Sequence, residues 1–341
     1  MNVSRNSDLG SPTMAAAVLE EFGAQLTLRS LARPSASPGT VVVRVAASGV
    51  NPLDTKIRTG SAAHARVTPP AVLGLDLAGV VEEVGEGVDG FSVGDEVFGL
   101  TGGVGEVQGS LAEYAAVDAD LLAPKPASLS MTEAAALPLS VVTAWEGLVD
   151  RAAVSEGQTV LIHGGAGGVG HIAVQLAAAR GATVYATGTG ADLDRIRSLG
   201  AEPIDYRTTS VEEYVATATQ GEGFDVIFDT LGGPVLDASF EAVRRYTGHV
   251  VSILGWGTHS LAPLSFRGAT YSGVFTLLPL LTGVGRAHHG AILRAAASLA
   301  EAGQLRPILD PNGYDLGTVM DAHALIESGN ASGKVVVTVN G

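Results

Sequence analysis

The chain of 341 residues contains no cysteine, few aromatic residues and only three lysines. Without thiols it cannot form a disulfide bond, a thiolate zinc site or a cysteine nucleophile. The formal net charge of −15 argues against nucleic acid as a partner, because a surface that binds nucleic acid needs a basic face. The chain is long enough for two domains, each with its own core.

Long hydrophobic runs are also missing. The most apolar stretch, residues 274–284, is too short to span a membrane and is interrupted by Pro279 and Gly283. Residues 1–13 are polar, with neither the apolar core nor the cleavage site of a signal peptide, and we expect them to be a disordered tail. These features predict a cytoplasmic protein without a membrane partner.

A glycine-rich segment is the strongest motif that the chain does contain. Gln158 to His163 is a short, apolar, β-branched run, typical of a buried parallel strand. Gly165, Gly167 and Gly170 follow with the Gly-x-Gly-x-x-Gly spacing, and a helical pattern continues to about residue 180. The first glycine permits a tight turn, the second lets a diphosphate approach the backbone, and the third lets helix and strand pack closely. Strand, loop and helix together predict a dinucleotide site.

The end of the next strand bears on the choice of dinucleotide. NAD-dependent enzymes usually place a carboxylate there, on the ribose hydroxyls, whereas this chain has Thr187, Gly188 and Thr189. Without that carboxylate a 2′-phosphate is tolerated, so the sequence favours NADPH over NADH. Asp192 lies close by, and no Arg or Lys stands at this strand end.

Two patterns of secondary structure divide the chain. Residues 14–138 contain short strand-like runs bounded by Gly, Pro or Asp, as in an irregular β domain. From residue 158 strands and helices alternate, which predicts a parallel sheet with helices on both faces, ending in a strand near Ser272 to Thr276. We expect residues 277–341, which end in another strand-like run, to return to the first domain. A cleft between two such domains is a common place for ligands.

The whole chain after residue 13 resembles the medium-chain dehydrogenase/reductase superfamily, and within it the zinc-independent quinone oxidoreductase and enal reductase branch. The motifs that carry the resemblance are ASGVNPLDTKIRTG (47–60), LGLDLAGVV (73–81), VGDEVFGL (93–100), AALPLSVVTAW (135–145), VLIHGGAGGVG (160–170), FDTLGG (228–233) and SGKVVV (332–337). The resemblance implies an α/β fold in which a GroES-like domain (14–138 and 277–341) accompanies a doubly wound Rossmann domain that binds NADP (139–276).

The zinc alcohol dehydrogenases of the same superfamily provide a contrast. By resemblance, their catalytic Cys, His and second Cys fall at Asn51, Leu75 and Leu139, and the cysteine-rich zinc lobe is missing. Without a Lewis acid, alcohol oxidation loses its main electrostatic support. We therefore expect no metal ligands and no zinc.

The resemblance also implies which residues form the site. Asn51, Asp54, Lys56, Arg58 and Thr143 are the implied catalytic residues beside the nicotinamide. Lys56 is expected to donate to the acceptor oxygen or to a cofactor hydroxyl, Asn51 to hold the carbonyl, and Asp54 to orient Lys56 or cap a turn. The alternative is a salt-bridged surface loop for the first four and an ordinary helix cap for Thr143. The implied cofactor-binding residues are Gly165, Gly167, Gly168, Val169, Gly170, Thr187, Gly188, Tyr206, Leu231, Gly232, Leu254, Gly255 and Phe275.

Other polar residues look structural. We expect His163 to be packed or bonded to a loop, Asp76 to bond backbone in a turn, and His288 and His289 to begin a solvated helix. No Ser-His-Asp set or metal-spaced cluster can be assembled from the sequence.

The sequence thus predicts an NADPH-dependent, zinc-independent reductase that transfers hydride to a quinone or an α,β-unsaturated carbonyl. The substrate would be a small apolar carbonyl or quinone, and a homodimer would form through the edge strand at 272–276. The alternatives are an enoyl-thioester reductase, an alcohol dehydrogenase-like enzyme, and a non-catalytic protein that binds NADPH.

Overall fold

The computed structural model describes residues 12–340, which form mixed α/β structure. The expected tail, residues 1–13, lies almost entirely outside the described residues. The strands are Thr13–Leu19 (β1), Thr27–Ala32 (β2), Thr40–Val50 (β3), Ala71–Val72 (β4), Asp76–Val84 (β5), Glu96–Leu100 (β6), Tyr114–Asp118 (β7), Leu122–Pro124 (β8), Thr159–Ile162 (β9), Thr183–Gly188 (β10), Glu202–Asp205 (β11), Val226–Asp229 (β12), His249–Ser252 (β13), Thr270–Gly273 (β14), Tyr314–Asp315 (β15) and Val335–Thr338 (β16).

Eleven α-helices lie within the described residues. They are Pro52–Arg58 (α1), Met131–Ala135 (α2), Pro138–Trp145 (α3), Gly170–Ala179 (α4), Asp192–Ser198 (α5), Val211–Thr219 (α6), Gly233–Ala242 (α7), Ala262–Arg267 (α8), Leu278–Thr282 (α9), Arg286–Glu301 (α10) and Val319–Ser328 (α11). A π-helical segment, Glu146–Arg151, continues α3, and a 3₁₀ turn, Ala63–Ala65, follows α1. In the part of the chain that the structure describes, no helix has the length and apolar character needed to cross a bilayer.

The first sheet is built around the long strand β3. Its path is β15-β16-β3-β5-β6-β8, and β7 also pairs with β3. Val41, Val42 and Val43 of β3 are all fully buried, so both faces of the strand are covered, as expected for a short barrel-like domain. β1, β2 and β4 form a separate three-stranded sheet. The short strands that the sequence predicts between residues 14 and 138 are thus present, in two sheets.

The second sheet is the parallel sheet that the alternating pattern predicts. Its order is β11-β10-β9-β12-β13-β14, and every pair in it is parallel. Strand order reverses between β9 and β12, and ligands bind at the carboxyl ends of strands beside such a reversal. The glycine-rich loop begins there, directly after β9. The last strand is Thr270–Gly273, which begins two residues and ends three residues before the predicted strand at 272–276, because the chain leaves the sheet after Val274 toward α9.

The C-terminal residues return to the first sheet. β16 runs antiparallel to β3, with Val335 opposite Val50, and β15 pairs with the outer side of β16. This pairing brings Lys334, just before β16, next to Asn51, just after β3. The return of the C-terminal segment is therefore what completes the cleft.

The prediction for His289 is wrong. Its side chain on α10 is fully buried, and its Nε2 lies 3.1 Å from Glu146 Oε1 in the π-helical segment. The pattern misled because α10 begins at Arg286, earlier than the apolar run suggests, and its first turns pack on α3 and β8. His288, by contrast, is half exposed and bonds Asp150 at 2.7 Å.

Candidate active site

A cavity of about 630 Å³ lies between the two domains, a volume within the range of sites for small molecules and cofactors. One wall comes from the glycine-rich loop and the ends of the parallel strands. The opposite wall comes from α1, α3 and the segment before β16. The lining includes Asn51, Leu53, Lys56, His64, Leu139, Thr143, Gly167, Gly168, Val169, Gly170, Thr187, Gly188, Asp192, Tyr206, Leu231, Leu254, Trp256, Phe275 and Lys334.

The glycine-rich loop has the geometry that a diphosphate needs. A Cβ on Gly170 would lie 2.0 Å from the Gly164 carbonyl oxygen, and one on Gly165 would lie 2.5 Å from the Ala186 side chain. These two glycines are therefore fixed by close packing of loop, helix and strand. Gly167 and Gly168 instead expose their backbone, and α4 begins just beyond them. Bare amides at a helix N-terminus suit an anion, so the loop fits the diphosphate of a dinucleotide.

The end of β10 forms the neighbouring part of the cavity. Thr187 is buried, and its Oγ1 accepts a hydrogen bond from the Gly164 amide at 3.0 Å, which ties β10 to the loop. Gly188 packs so closely on α5 that a Cβ would lie 2.6 Å from Ile196. Tyr206, after β11, is more than half exposed and lines the cavity, as does Asp192 at the start of α5. A carboxylate thus does face this end of the cavity, although it comes from the helix.

A buried polar network occupies the opposite wall. Lys334 Nζ donates a hydrogen bond to Asn51 Oδ1, and Asn51 Nδ2 donates one to Asp76 Oδ2 at 2.9 Å. The Lys334 ammonium also lies 3.9 Å from Asp76 Oδ2, and the Leu139 amide donates to Asp76 Oδ1 at 2.8 Å. All three side chains of the triad Asn51, Asp76 and Lys334 are nearly fully buried. Asp76 therefore does more than bond backbone in a turn, because it is the anion that holds a buried cation beside the cavity.

Asp54 lies behind this triad and caps α1. Its Oδ2 accepts a hydrogen bond from the Asn51 amide at 2.8 Å, whereas its Oδ1 is buried without a partner. Burial, the largest influence, raises the pKa of Asp54 to about 7, and the charge on Asp76 adds to the rise. Burial likewise raises the pKa of Asp76 to about 6, although Lys334 opposes the increase. Burial lowers the pKa of Lys334, against the pull of both carboxylates.

The other implied catalytic residues are not all at the cavity. Lys56 is exposed and lines it, and no ion pair joins this ammonium to a carboxylate of residues 12–340. Thr143 lines it as well, with its Oγ1 donating to the Leu139 carbonyl at 2.6 Å inside α3, so it is not a helix cap. The expected place of Arg58 beside the cofactor is wrong. Arg58 points away from the cavity, to Glu327 at 2.5 Å and to the Ala24 carbonyl at 3.2 Å.

Of the two roles expected for Asp54, the structure shows the cap, since its carboxylate accepts a hydrogen bond from the Asn51 amide at the start of α1. The surface-loop alternative for this segment is wrong, because Asn51 and Asp54 are buried at the start of a short helix.

Some of the remaining implied cofactor-binding residues line the cavity and others lie behind its wall. Leu231, Leu254 and Phe275 line the cavity together with Val169. Gly232 and Gly255 do not line it, because each supports a close contact behind the wall: a Cβ would lie 2.4 Å from the Leu254 carbonyl oxygen and 2.2 Å from the Tyr271 hydroxyl, respectively.

Lys334, His64 and Trp256 are among the lining residues that the sequence did not single out. Lys334 stands in the SGKVVV motif and is one of only three lysines in the chain. These two facts were the signal that could have identified it as a site residue. For His64 and Trp256 the sequence gives no signal, since each stands alone in a turn.

The pKa of Asp54 leads to a prediction about stability. A carboxyl whose pKa is raised in the folded protein stabilises it at low pH, and this contribution is lost as the pH rises from about 4 to about 7. Relative to wild type, Asp54→Asn should therefore gain on the order of 3 kcal/mol in free energy of unfolding across that window. Denaturant titrations at a series of pH values measure the difference.

The variant must be compared with wild type at each pH, because buried histidines change the free energy of unfolding with pH in the opposite direction. Burial lowers the pKa of His163, His171 and His323 to about 4, so their contribution grows as the pH rises. Both proteins contain these histidines, so their contributions cancel when the free energy of unfolding of wild type is subtracted from that of Asp54→Asn. A difference that stays constant from pH 4 to pH 7 would show that Asp54 titrates normally.

Comparisons with known proteins agree with the fold and the cavity. A family described as alcohol dehydrogenase GroES-like domain matches residues 37–127, and one described as zinc-binding dehydrogenase matches residues 199–337. The chain is 36% identical over 318 residues, 90% of this chain and 74% of the relative, to a 2-methylene-furan-3-one reductase of Solanum lycopersicum. It is 35% identical, over 95% of this chain and 79% of the relative, to an NADPH-dependent alkenal/one oxidoreductase, chloroplastic, of Arabidopsis thaliana.

The chain belongs to the medium-chain dehydrogenase/reductase superfamily. Among solved structures, an alcohol dehydrogenase superfamily protein from Novosphingobium aromaticivorans is 58% identical, with a TM-score of 0.94 over 96% of this chain and 100% of that one. Within this superfamily the chain is an oxidoreductase with the GroES-like and Rossmann folds that its motifs imply.

Three positions correspond to the catalytic zinc ligands of the zinc alcohol dehydrogenases. Positions 51, 75 and 139 hold Asn, Leu and Leu, and Leu75 is fully buried in the core. Across residues 12–340 no group of three or more His, Asp or Glu side chains is arranged to hold a metal ion. What stands beside Asn51 is the ammonium group of Lys334.

Proposed function

We propose that this protein is an NADPH-dependent, zinc-independent reductase of α,β-unsaturated carbonyls or quinones. The observation that carries the proposal is the buried pair of Asn51 and Lys334 on the cavity wall, opposite the glycine-rich loop. A fixed positive charge and amide donors suit an oxygen that gains negative charge when hydride adds to a conjugated carbonyl. A quinone contains the same conjugated unit. An aliphatic alkoxide, with its charge on one atom, needs a stronger Lewis acid.

The roles of the residues follow from their bonds. Bound NADPH would supply the hydride. The loop at Gly167 and Gly168 would hold its diphosphate. Asn51 uses one amide hydrogen on Asp76, so its second is available for the acceptor carbonyl. Lys334 keeps Asn51 in this orientation and adds positive charge. Lys56, exposed at the cavity, and Thr143, bonded inside α3, would contact the acceptor side, and either Lys56 or water would deliver the final proton.

The test is NADPH oxidation at 340 nm after dialysis against a chelator, with NADH in parallel and with a panel of enals, enones and quinones. Turnover with NADPH that survives the chelator is the expected result. Activity that disappears with the chelator and returns with zinc would favour an alcohol dehydrogenase-like enzyme. NADPH binding without turnover of any acceptor would favour a non-catalytic protein.

The carboxylate of Asp192 opposes the proposed preference for NADPH. Its side chain is about half exposed at the cavity, and its only cation within 4 Å in the described part of the chain is Arg195 at 3.9 Å. Because a carboxylate repels a 2′-phosphate, Asp192→Asn should tighten NADPH binding by about threefold to tenfold and leave NADH within about twofold.

A matched control stands two residues away. Asp194 lies on the same helix and is 90% exposed, but it does not line the cavity. Asp194→Asn removes the same charge and should change NADPH affinity by less than about twofold. Fluorescence titrations of wild type and both variants with NADPH and NADH measure the six dissociation constants. Equal effects of the two substitutions would mean that Asp192 is not near the 2′-phosphate.

Other features extend the proposal. We divide the chain at residues 138/139 and 276/277 into catalytic and NADP-binding domains.

A homodimer is proposed through β14, because this strand is the edge of the parallel sheet and a second copy can pair with it. Sedimentation equilibrium tests the dimer. We also propose a cytoplasmic location, as expected from the sequence.

A further inference from the structure

Three aromatic rings meet on one side of the cavity. The rings of His64 and Trp256 are stacked, with centroids 5.0 Å apart and planes inclined by 26°. Phe275 meets both rings edge-on, at centroid distances of 5.9 Å from each. All three residues line the cavity. We call this group the aromatic cluster.

The aromatic cluster leaves a large apolar face uncovered. Trp256 is 59% exposed, and His64 is exposed too. No side-chain hydrogen bond within residues 12–340 fixes either ring, so ring packing alone positions them. An exposed indole that faces a cavity is apolar surface that a ligand can cover with a gain in free energy.

The aromatic cluster lies away from the part of the cavity that fits the adenosine half of a dinucleotide. Tyr206 and Asp192, which mark that part, follow β11 and β10, whereas Trp256 and Phe275 follow β13 and β14. These strands belong to opposite halves of the six-stranded sheet, and neighbouring strands are about 4.8 Å apart. The aromatic cluster therefore belongs to the acceptor end of the cavity.

The two faces of the cavity meet at this cluster. His64 lies in the 3₁₀ turn Ala63–Ala65 of the first domain, and Trp256 lies after β13 of the parallel-sheet domain. His64 covers one side of the indole, and Trp256 remains 59% exposed. A flat group inserted here would pack on that exposed surface and meet Phe275, whose plane differs from that of the indole by 85°. That right-angled corner fits a planar ring better than a flexible alkyl chain.

We propose that Trp256, with Phe275, is a specificity-determining residue that selects acceptors whose conjugated carbonyl extends into a planar ring. The proposal rests on the proposed reductase function and names its substrate class. Short aliphatic enones lack the ring, so they gain nothing from the corner.

The test uses two enones that differ only in the group on the β-carbon: 4-phenyl-3-buten-2-one and 3-penten-2-one. Trp256→Ala should lower kcat/KM for the phenyl compound about tenfold or more and for the methyl compound by less than about twofold. Trp256→Phe should retain the preference, and Trp256→Leu, which restores apolar bulk without a large flat ring, should not. Phe266→Ala is the control, because Phe266 is an 85% exposed aromatic residue of the same domain that does not line the cavity.

Calorimetry separates this inference from the function on which it rests. The dissociation constant of the phenyl enone from the protein with NADP⁺ should rise about tenfold in Trp256→Ala. If wild type reduces neither these enones nor any other enal, enone or quinone of the panel, the proposed function fails, and calorimetry alone decides whether Trp256 binds the phenyl group. Equal losses for both enones, or no loss for either, would overturn the role of Trp256 in selectivity.

Discussion

Replacing Lys334 by methionine is expected to lower kcat/KM for NADPH-dependent enone reduction about 100-fold, the size of effect seen when one preorganised donor to a developing oxyanion is removed. The substitution removes the buried charge and leaves Asn51 Oδ1 without its donor. Asn51 is then free to rotate away from the acceptor. Steady-state kinetics with one enone and a titration of NADPH binding separate catalysis from cofactor affinity.

The same variant should remain folded. A lone buried carboxylate is costly, but the pKa of Asp76 is already raised to about 6, and without Lys334 it can take up a proton. We expect the loss of stability to be small near pH 6 and to increase above it. Adding Asp76→Asn to the variant should remove that increase.

Lys56→Met is the comparison that decides between the two lysines. Lys56 is exposed and flexible, so its loss should cost less than about tenfold in kcat/KM. If Lys56→Met proves to be the more damaging change, the acceptor oxygen lies toward the exposed side of the cavity and the assignment to Lys334 is incorrect.

Replacing Gly170 by alanine is expected to weaken NADPH binding by on the order of 100-fold and to destabilise the protein by about 2–3 kcal/mol. The reason is the contact with Gly164, whose carbonyl oxygen would lie 2.0 Å from the new Cβ. Helix and loop must separate to relieve the clash, and the amides that face the diphosphate move with them.

Gly167→Ala provides the matched variant for this prediction. Its Cβ would lie 3.2 Å from the same oxygen, on a residue that is exposed at the cavity. The melting temperature should therefore change little, while the methyl group obstructs the diphosphate and lowers NADPH affinity. Thermal unfolding and nucleotide titration of both variants make the comparison. Normal NADPH affinity in Gly167→Ala would place the diphosphate elsewhere.

The sequence predicts the parallel-sheet domain well, for a local reason. Strand β9, its loop and α4 are adjacent in the chain, and each carries its own signal: β-branched residues, spaced glycines and a helical period. The structure places the loop where these signals predict it, at the carboxyl end of β9.

The cavity wall opposite the glycine-rich loop is harder to predict, because it depends on contacts between residues that are distant in the chain. Asn51, Asp76 and Lys334 come from three segments that meet only when β16 pairs with β3. No periodicity in the sequence encodes that meeting. Arg58 illustrates the opposite error: it lies in the right motif, but one side of the short helix α1 faces the cavity and Arg58 lies on another.

The distance along the chain between Asn51 and Lys334, 283 residues, also affects how the protein is made. During synthesis β3 and β5 emerge from the ribosome long before β16, the strand that pairs with β3 and brings Lys334 to Asn51. The first sheet therefore cannot be completed until the last residues of β16 have been made. The parallel-sheet domain has no such dependence, because its strands are consecutive between β9 and β14. We therefore expect the parallel-sheet domain to become protease-resistant on the nascent chain first, and the domain built around β3 to do so only after β16 has been translated.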